Sequence, residues 1–223
     1  MSSSLPKFIH DQTLSLDVNP EKPLILVDAD EVIVHFALPL KDYLSEFGFD
    51  LNFTSYKIFD NITEQKTGAI LPREKAVHFI DKFFDDRVFH QPAVAGAVAA
   101  LNDLSTKNQV IIVTNVPQKA KDTRKQAMVK LGMDFPLIAN KGLKGPIIQY
   151  LTKDHQAPVV FLDDIPHNLQ SVKAEAPHVH RIHFVAEPIL RPLLEKAKGA
   201  HVRIDEWDDC HRYINNHFKE QGF

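Results

Sequence analysis

Leu24-Ile25-Leu26-Val27-Asp28-Ala29-Asp30 places four consecutive branched aliphatic residues directly before two closely spaced acids. An unbroken apolar run of this length fits a strand buried on both faces, as in a parallel sheet covered by helices. Three further runs repeat the pattern. Residues 110–113 end in Thr114-Asn115, residues 159–162 end in Asp163-Asp164, and residues 181–185 end near Glu187-Pro188. A fifth candidate, 200–204, precedes a final helix that contains Trp207, Tyr213 and Phe218. Between the runs the sequence predicts helices over 93–104, 117–131, 146–151 and 168–174. Pro117 suits a first helical turn, and Gly132 suits a cap. Strands alternating with helices indicate an α/β protein: a Rossmann-like parallel sheet with helices on both faces.

One interval exceeds what this pattern needs. Asp28 and Thr114 are 86 positions apart, whereas a strand-helix-strand unit takes roughly 30 residues. The surplus falls between about Phe36 and Gln91. It reads as helices over 38–47 and, after Pro72, over 73–84. The polar and aromatic stretch 50–67 between them has no assigned structure. The expected organisation is a core formed by 1–35 and 92–223, with a small, mainly helical insertion at 36–91 after the first strand.

Composition bounds the function. The 223 residues, 44% hydrophobic and 25% charged, suffice for a sizeable buried core. Lys plus Arg is 26 against 29 Asp plus Glu, a net charge of −3, which does not favour nucleic acid or an anionic membrane as partner. The single cysteine, Cys210, excludes an intramolecular disulfide and a cysteine-rich zinc module, and suits a reducing compartment. Residues 1–7 lack a signal-peptide apolar run, and no segment reaches the roughly 18 apolar residues of a membrane span. The expectation is a cytoplasmic protein. Its oligomeric state is not legible.

Ligands of open α/β sheets bind outside the carboxyl ends of the strands. A parallel sheet brings Asp28 and Asp30, Thr114 and Asn115, and Asp163 and Asp164 to one edge. Four converging carboxylates need a counterion, and Mg²⁺ with oxygen ligands is a usual solution. Any one of these acids alone is as well explained as a helix cap or turn residue. The Thr114 hydroxyl and nearby backbone N–H groups suit phosphate. Lys144 or Lys141, ahead of the helix at Pro146, could neutralise a phosphoryl group.

The segment from Leu26 to Val32 resembles the first motif of the haloacid dehalogenase-like hydrolase superfamily, an Asp-x-Asp after a buried strand. Val113-Thr114-Asn115 resembles the second motif. Lys144-Gly145-Pro146, with Tyr150, resembles the third, and Phe161-Leu162-Asp163-Asp164, with Asn168, the fourth. Thr114 to Lys144 is 30 positions and Lys144 to Asp163 is 19, spacings that suit the family. The insertion matches the cap that many members carry. The resemblance implies an Mg²⁺-dependent phosphohydrolase acting on a small phosphorylated metabolite. Asp28 would be the nucleophile, forming an aspartyl-phosphate, and Asp30 the general acid and base. The Asp28 side chain, the Asp30 carbonyl and Asp163 would hold the metal, with Asp164 assisting directly or through water. Thr114, Asn115 and Lys144 would bind the phosphoryl group. Glu31 departs from the pattern: it stands where the family commonly has glycine, and places a charge beside the site.

Other readings compete. A phosphoryl mutase or transferase would use the same core, and a scaffold could bind phosphate ligands without catalysis. His178, His180 and His183 read as surface or strand-edge histidines, and His35 as packing residue or pocket lining. Lys119, Lys121, Arg124, Lys125 and Lys130 read as a solvated basic helix face. Tyr56, Lys57 and Arg73 of the insertion are possible substrate contacts.

Overall fold

The computed structural model describes residues 5–223; the reading of Met1–Ser4 lies outside them. In chain order the regular elements are α1 (Lys7–Thr13), β1 (Leu24–Val27), α2 (Ala37–Ser45), β2 (Phe49–Leu51), β3 (Ile62–Glu64), α3 (Arg73–Arg87), α4 (Ala97–Ser105), β4 (Gln109–Thr114), α5 (Lys121–Lys130), β5 (Leu137–Ala139), α6 (Gly145–Thr152), β6 (Val159–Asp163), α7 (Pro166–Glu175), β7 (His180–His183), β8 (Val202–Arg203) and α8 (Trp207–Glu220). Six strands form one parallel sheet in the order β5-β4-β1-β6-β7-β8.

The apolar runs are continuous because each strand serves two cores. Alternate residues of a strand point to opposite faces. Ile25 and Val27 of β1 pack with Ile112, Val160 and Leu162 against Leu101 of α4, Met128 of α5 and Ile214 of α8. Leu24 and Leu26 pack with Ile111, Val113 and Phe161 against Ile9 of α1, Ile147 of α6 and Leu169 of α7. The sheet is thus covered on both sides, as the sequence predicts.

Register then positions the polar strand ends. Val27 lies opposite Ile112 on one side and Leu162 on the other. One residue further, Asp28 stands beside Asp163, and the Asp28 N–H donates to the Leu162 carbonyl at 3.0 Å.

Three local expectations change. The helix expected from residue 93 begins at Ala97. Ala93 bridges to Val34, and the Val94 N–H donates to the Ile33 carbonyl, so the chain is still extended there. Gly96 then turns with φ of 81°, where a Cβ would lie 3.0 Å from Trp207 Cβ. The helix expected from 117 opens with a 3₁₀ turn, Gln118–Ala120, before α5. β5 was not foreseen, nor was α1. The two are linked: the Gln12 amide donates to the Ala139 carbonyl at 3.0 Å and accepts from the Ala139 N–H at 2.9 Å, pairing with the open edge of β5 as a neighbouring strand would.

The segment between β1 and α4 contains α2 and α3, with the unassigned stretch 50–67 forming most of an antiparallel β2–β3 pair and a 3₁₀ turn at Phe59–Asn61. It is therefore helix plus hairpin. Phe36, Leu40, Tyr43, Leu51, Ile62 and Phe83 form its interior, which continues onto Val116 and Ala120 beyond β4. No helix among the described residues is long and apolar enough to cross a membrane.

At the far edge of the sheet, His180 stacks on His201 with ring centroids 4.4 Å apart and lies 4.1 Å from His217. It also hydrogen-bonds the Tyr213 hydroxyl. Burial, and then the charges of His217, His201 and Arg181, push His180 down to about 3. A histidine held below its unfolded value of about 6.5 contributes stability above that pH and loses it as pH falls. Acidification from neutrality toward pH ~5 should therefore lower the melting temperature of wild type more than that of His180→Phe. Equal changes would remove His180 as the cause.

Candidate active site

The site is built on a buried lysine. Lys144 immediately precedes α6, and its ammonium lies 2.7 Å from Asp28 Oδ1 and 2.7 Å from Asp163 Oδ2, with no exposed side-chain surface. Its placement depends on Gly145. A Cβ there would lie 2.6 Å from the Ser171 carbonyl oxygen, so α6 can approach α7 this closely only with glycine. Burial works against the charge on Lys144, but Asp163 and Asp28 together outweigh it and hold the amine above its ordinary value. Lys141 is exposed. Of the two lysines ahead of α6, Lys144, the one the sequence favours for its place before Gly145-Pro146, is the one that joins the acids.

Each acid is held differently. Asp28 Oδ1 accepts from the Ala29 N–H at 2.7 Å in addition to the lysine. Its carboxyl is raised to about 7, chiefly by burial and against the lowering effect of Lys144. Asp163 Oδ1 accepts from the Ile165 N–H at 2.8 Å, and both its oxygens accept from the Asn168 amide of α7. Asp164 Oδ2 accepts from the Tyr56 hydroxyl of the insertion. Burial, then Asp163 and Asp28, raise Asp164 well above the usual carboxylate range.

Asp28, Asp163 and Asp164 each present an oxygen within 4.8 Å of the others. Asp164 Oδ1 is buried without a partner. Three convergent carboxylates, one with an unused oxygen, form a donor set that fits a hard divalent cation. Thr114, at the end of β4, is fully buried, and its hydroxyl has no partner. Asn115 is exposed, lines a cavity that also reaches Asp28, Asp30 and Asp164, and donates to the Gly142 carbonyl at 3.0 Å.

Asp30 belongs to a second cluster. Its Oδ1 accepts from Arg124 at 2.7 Å and from the Gln91 amide at 2.9 Å. Arg124 is fully buried. It is thus not part of a solvated basic face as its neighbours suggested. A signal was present: Arg124, Ala127 and Met128 share i, i+3, i+4 spacing, and all three are the buried residues of α5. Gln91, at the end of the insertion, carried no such signal.

Glu31 has φ of 59°, the only positive value for a non-glycine among the described residues. Its Oε1 accepts from the N–H groups of Phe36 at 2.8 Å and Ala37 at 2.6 Å, where α2 begins. Burial raises its carboxyl to about 7 against those two amides. The departure from glycine therefore fastens the insertion to the loop that carries Asp28 and Asp30. His35 lies 3.3 Å from Glu187. His178 hydrogen-bonds Thr152, and His183 is buried between the Asp164 carbonyl and the Ala197 N–H. A cavity of about 740 Å³ opens over Asp28, Asp30, Asn115 and Asp164, with the insertion forming part of its wall.

No protein-family model matches the chain, and no curated protein matches it in sequence. Solved structures do match. A haloacid dehalogenase-like family hydrolase from Streptococcus pneumoniae has a TM-score of 0.59 at 14% identity, covering 87% of this chain and 99% of that one. A HAD family hydrolase from Deinococcus radiodurans R1, with bound phosphate and sodium, gives 0.58 at 13%, covering 89% and 97%. CbbY from Rhodobacter sphaeroides, in complex with phosphate, gives 0.51 at 15%, covering 82% and 94%. The chain has the fold of the haloacid dehalogenase-like hydrolases.

Lys144→Met leaves Asp28 and Asp163 face to face without their ammonium. Removing one partner of a buried ion pair costs about 3–5 kcal/mol, so a marked fall in melting temperature is expected. A divalent cation should restore more of it in the variant than it adds to wild type, which thermal unfolding with and without the ion measures. An unchanged melting temperature would show that the ammonium is not the counterion of these acids.

Proposed function

We propose that the chain is a phosphohydrolase of the haloacid dehalogenase-like superfamily, acting on a small phosphomonoester with Mg²⁺ as cofactor. The observation that carries this reading is the placement of Asp28 and Asp163 around Lys144, with Asp30 on the same loop and Thr114, its hydroxyl unpartnered, at the end of the neighbouring β4. Asp28, Asp163 and Asp164, with the Asp30 carbonyl, would hold the metal, which when bound supplies positive charge against the phosphoryl oxygens. In this reading residues 36–91 act as a cap over a core whose described part is 5–35 and 92–223.

The ordered contacts of Asp28 fall on Oδ1, which leaves Oδ2 to attack. Oδ2 forms a bond to phosphorus as the ester P–O bond breaks. The departing alkoxide takes a proton from Asp30, whose own contacts likewise fall on Oδ1 and leave Oδ2 to carry it. Asp30 then removes a proton from water as the water oxygen attacks phosphorus, releasing phosphate and regenerating the Asp28 carboxylate. Lys144 and Thr114 hold phosphoryl oxygens throughout. Arg124 and Gln91 fix the orientation of Asp30. Tyr56 ties the cap to Asp164 and helps exclude bulk water.

Asp28→Asn should abolish phosphate release, because an amide does not form the phosphoenzyme. Asp30→Asn should slow an alkyl ester by about 10²–10⁴-fold, the usual worth of general acid–base help, and a nitrophenyl ester far less. Thermal unfolding checks that both variants fold. Full activity of folded Asp28→Asn would rule the mechanism out.

A further inference from the structure

The wall of the cavity differs in character from its floor. Above the acids it is lined by Phe36, Phe53, Phe59 and Phe84, with Leu190 and Leu194 from the loop after β7. Of the polar side chains that share the lining, Asn115 is bonded to Gly142 and Asn140, and the exposed His167 stands at the start of α7. The Tyr56 hydroxyl is bonded to Asp164. Ser55 Oγ accepts from the Asn61 amide at 3.1 Å. Lys57 and Asp60 are exposed and pair at 3.6 Å. The exposed Arg73 guanidinium lies 4.2 Å over the Phe59 ring.

We infer that the cavity selects phosphomonoesters whose alcohol part is apolar and carries a ring, and disfavours sugar and polyol phosphates. This deepens, and rests on, the phosphohydrolase reading. The volume of about 740 Å³ lies within the range of drug-sized ligand sites, roughly 300–1,000 Å³. The phosphoryl group occupies only the acidic floor, so most of the space belongs to the leaving group. An apolar ring there is removed from water against aromatic and aliphatic surface. Where it meets the Phe and Leu side chains, a polyol is desolvated without compensating hydrogen bonds, because these offer none. Rejection of an added hydroxyl by an apolar pocket reaches about 10²-fold in kcat/KM. The loop after β7 contributes through a firm attachment: Arg191 donates to the carbonyls of Val185, Ala186 and Asp205, which fixes Leu190 and Leu194 on either side of it.

The test compares phenethyl phosphate with glycerol phosphate esterified at its primary hydroxyl, using the full chain and Mg²⁺. Both are primary alkyl esters, so leaving-group chemistry is closely matched and the ratio reports the wall. Phenethyl phosphate should be favoured by about 10²-fold in kcat/KM. Phe53→Asn and Leu194→Asn, at two half-buried positions on opposite sides of the chain's insertion boundary, should each narrow the ratio by about tenfold, mainly through KM. Glycerol phosphate turned over as well as or better than phenethyl phosphate would overturn the inference and leave the phosphohydrolase reading standing. So would a large ratio that neither substitution alters, because the wall would then not be its source. No phosphate release from either ester would remove the phosphohydrolase reading, and this inference with it.

Discussion

A single buried ammonium holds the acidic edge of this sheet together. Asp28 and Asp163 are forced into proximity by strand register, which fixes neighbouring backbones about 4.7–4.9 Å apart whatever their side chains carry. Two carboxylates so placed, with a third on Asp164, are unfavourable in a buried setting unless a positive group stands among them. Lys144 is that group. Its position in turn requires α6 to enter close against α7, and hence a residue without a side chain at 145. The sheet, the helix entry and the glycine thus form one solution to one electrostatic problem.

The second acid of the loop is held from outside the sheet. Asp30 takes its contacts from α5 and from the end of the insertion, while Glu31, one residue on, binds the start of α2. The loop after β1 is consequently a junction: its two flanks are fastened to different parts of the chain, and its backbone accepts a left-handed residue to make this possible. Such a conformation costs a non-glycine about 1–2 kcal/mol, which two buried N–H···carboxylate bonds are sufficient to offset.

Much of this was legible in the sequence, for identifiable reasons. The central strands announced themselves because a strand buried on both faces is apolar at every position, and the abrupt change to Asp or Thr marked where the sheet meets the ligand. β5 escaped because three residues on an edge carry too little pattern. The hairpin within 49–64 escaped because its strands are three residues each and mostly half buried, and the aromatic residues between them, Phe53, Tyr56 and Phe59, line a cavity. Asp28, Thr114, Lys144, Asp163 and Asp164 were found together because each lies at a strand end or helix entry. Gln91 carries no local signal, because its partner Asp30 lies 61 positions away; Arg124 shows only in its spacing with Ala127 and Met128, and Tyr56 stands out as a possible substrate contact although its partner is Asp164, 108 positions on.

The side chain of Gln12 has a consequence at the scale of whole molecules. The outer edge of a sheet is a row of unpaired donors and acceptors that another chain can use as a template. On β5 the Gln12 amide occupies both the N–H and the carbonyl of Ala139, and α1 lies over the same edge. At the opposite border β8 is only two residues long, and the Arg203 guanidinium is engaged by Asp205 and the Arg191 carbonyl. Both borders are therefore poor seeds for strand addition. A continuous sheet shared between copies, the first step toward fibrous aggregation, is discouraged at each end by means that leave the acidic edge untouched.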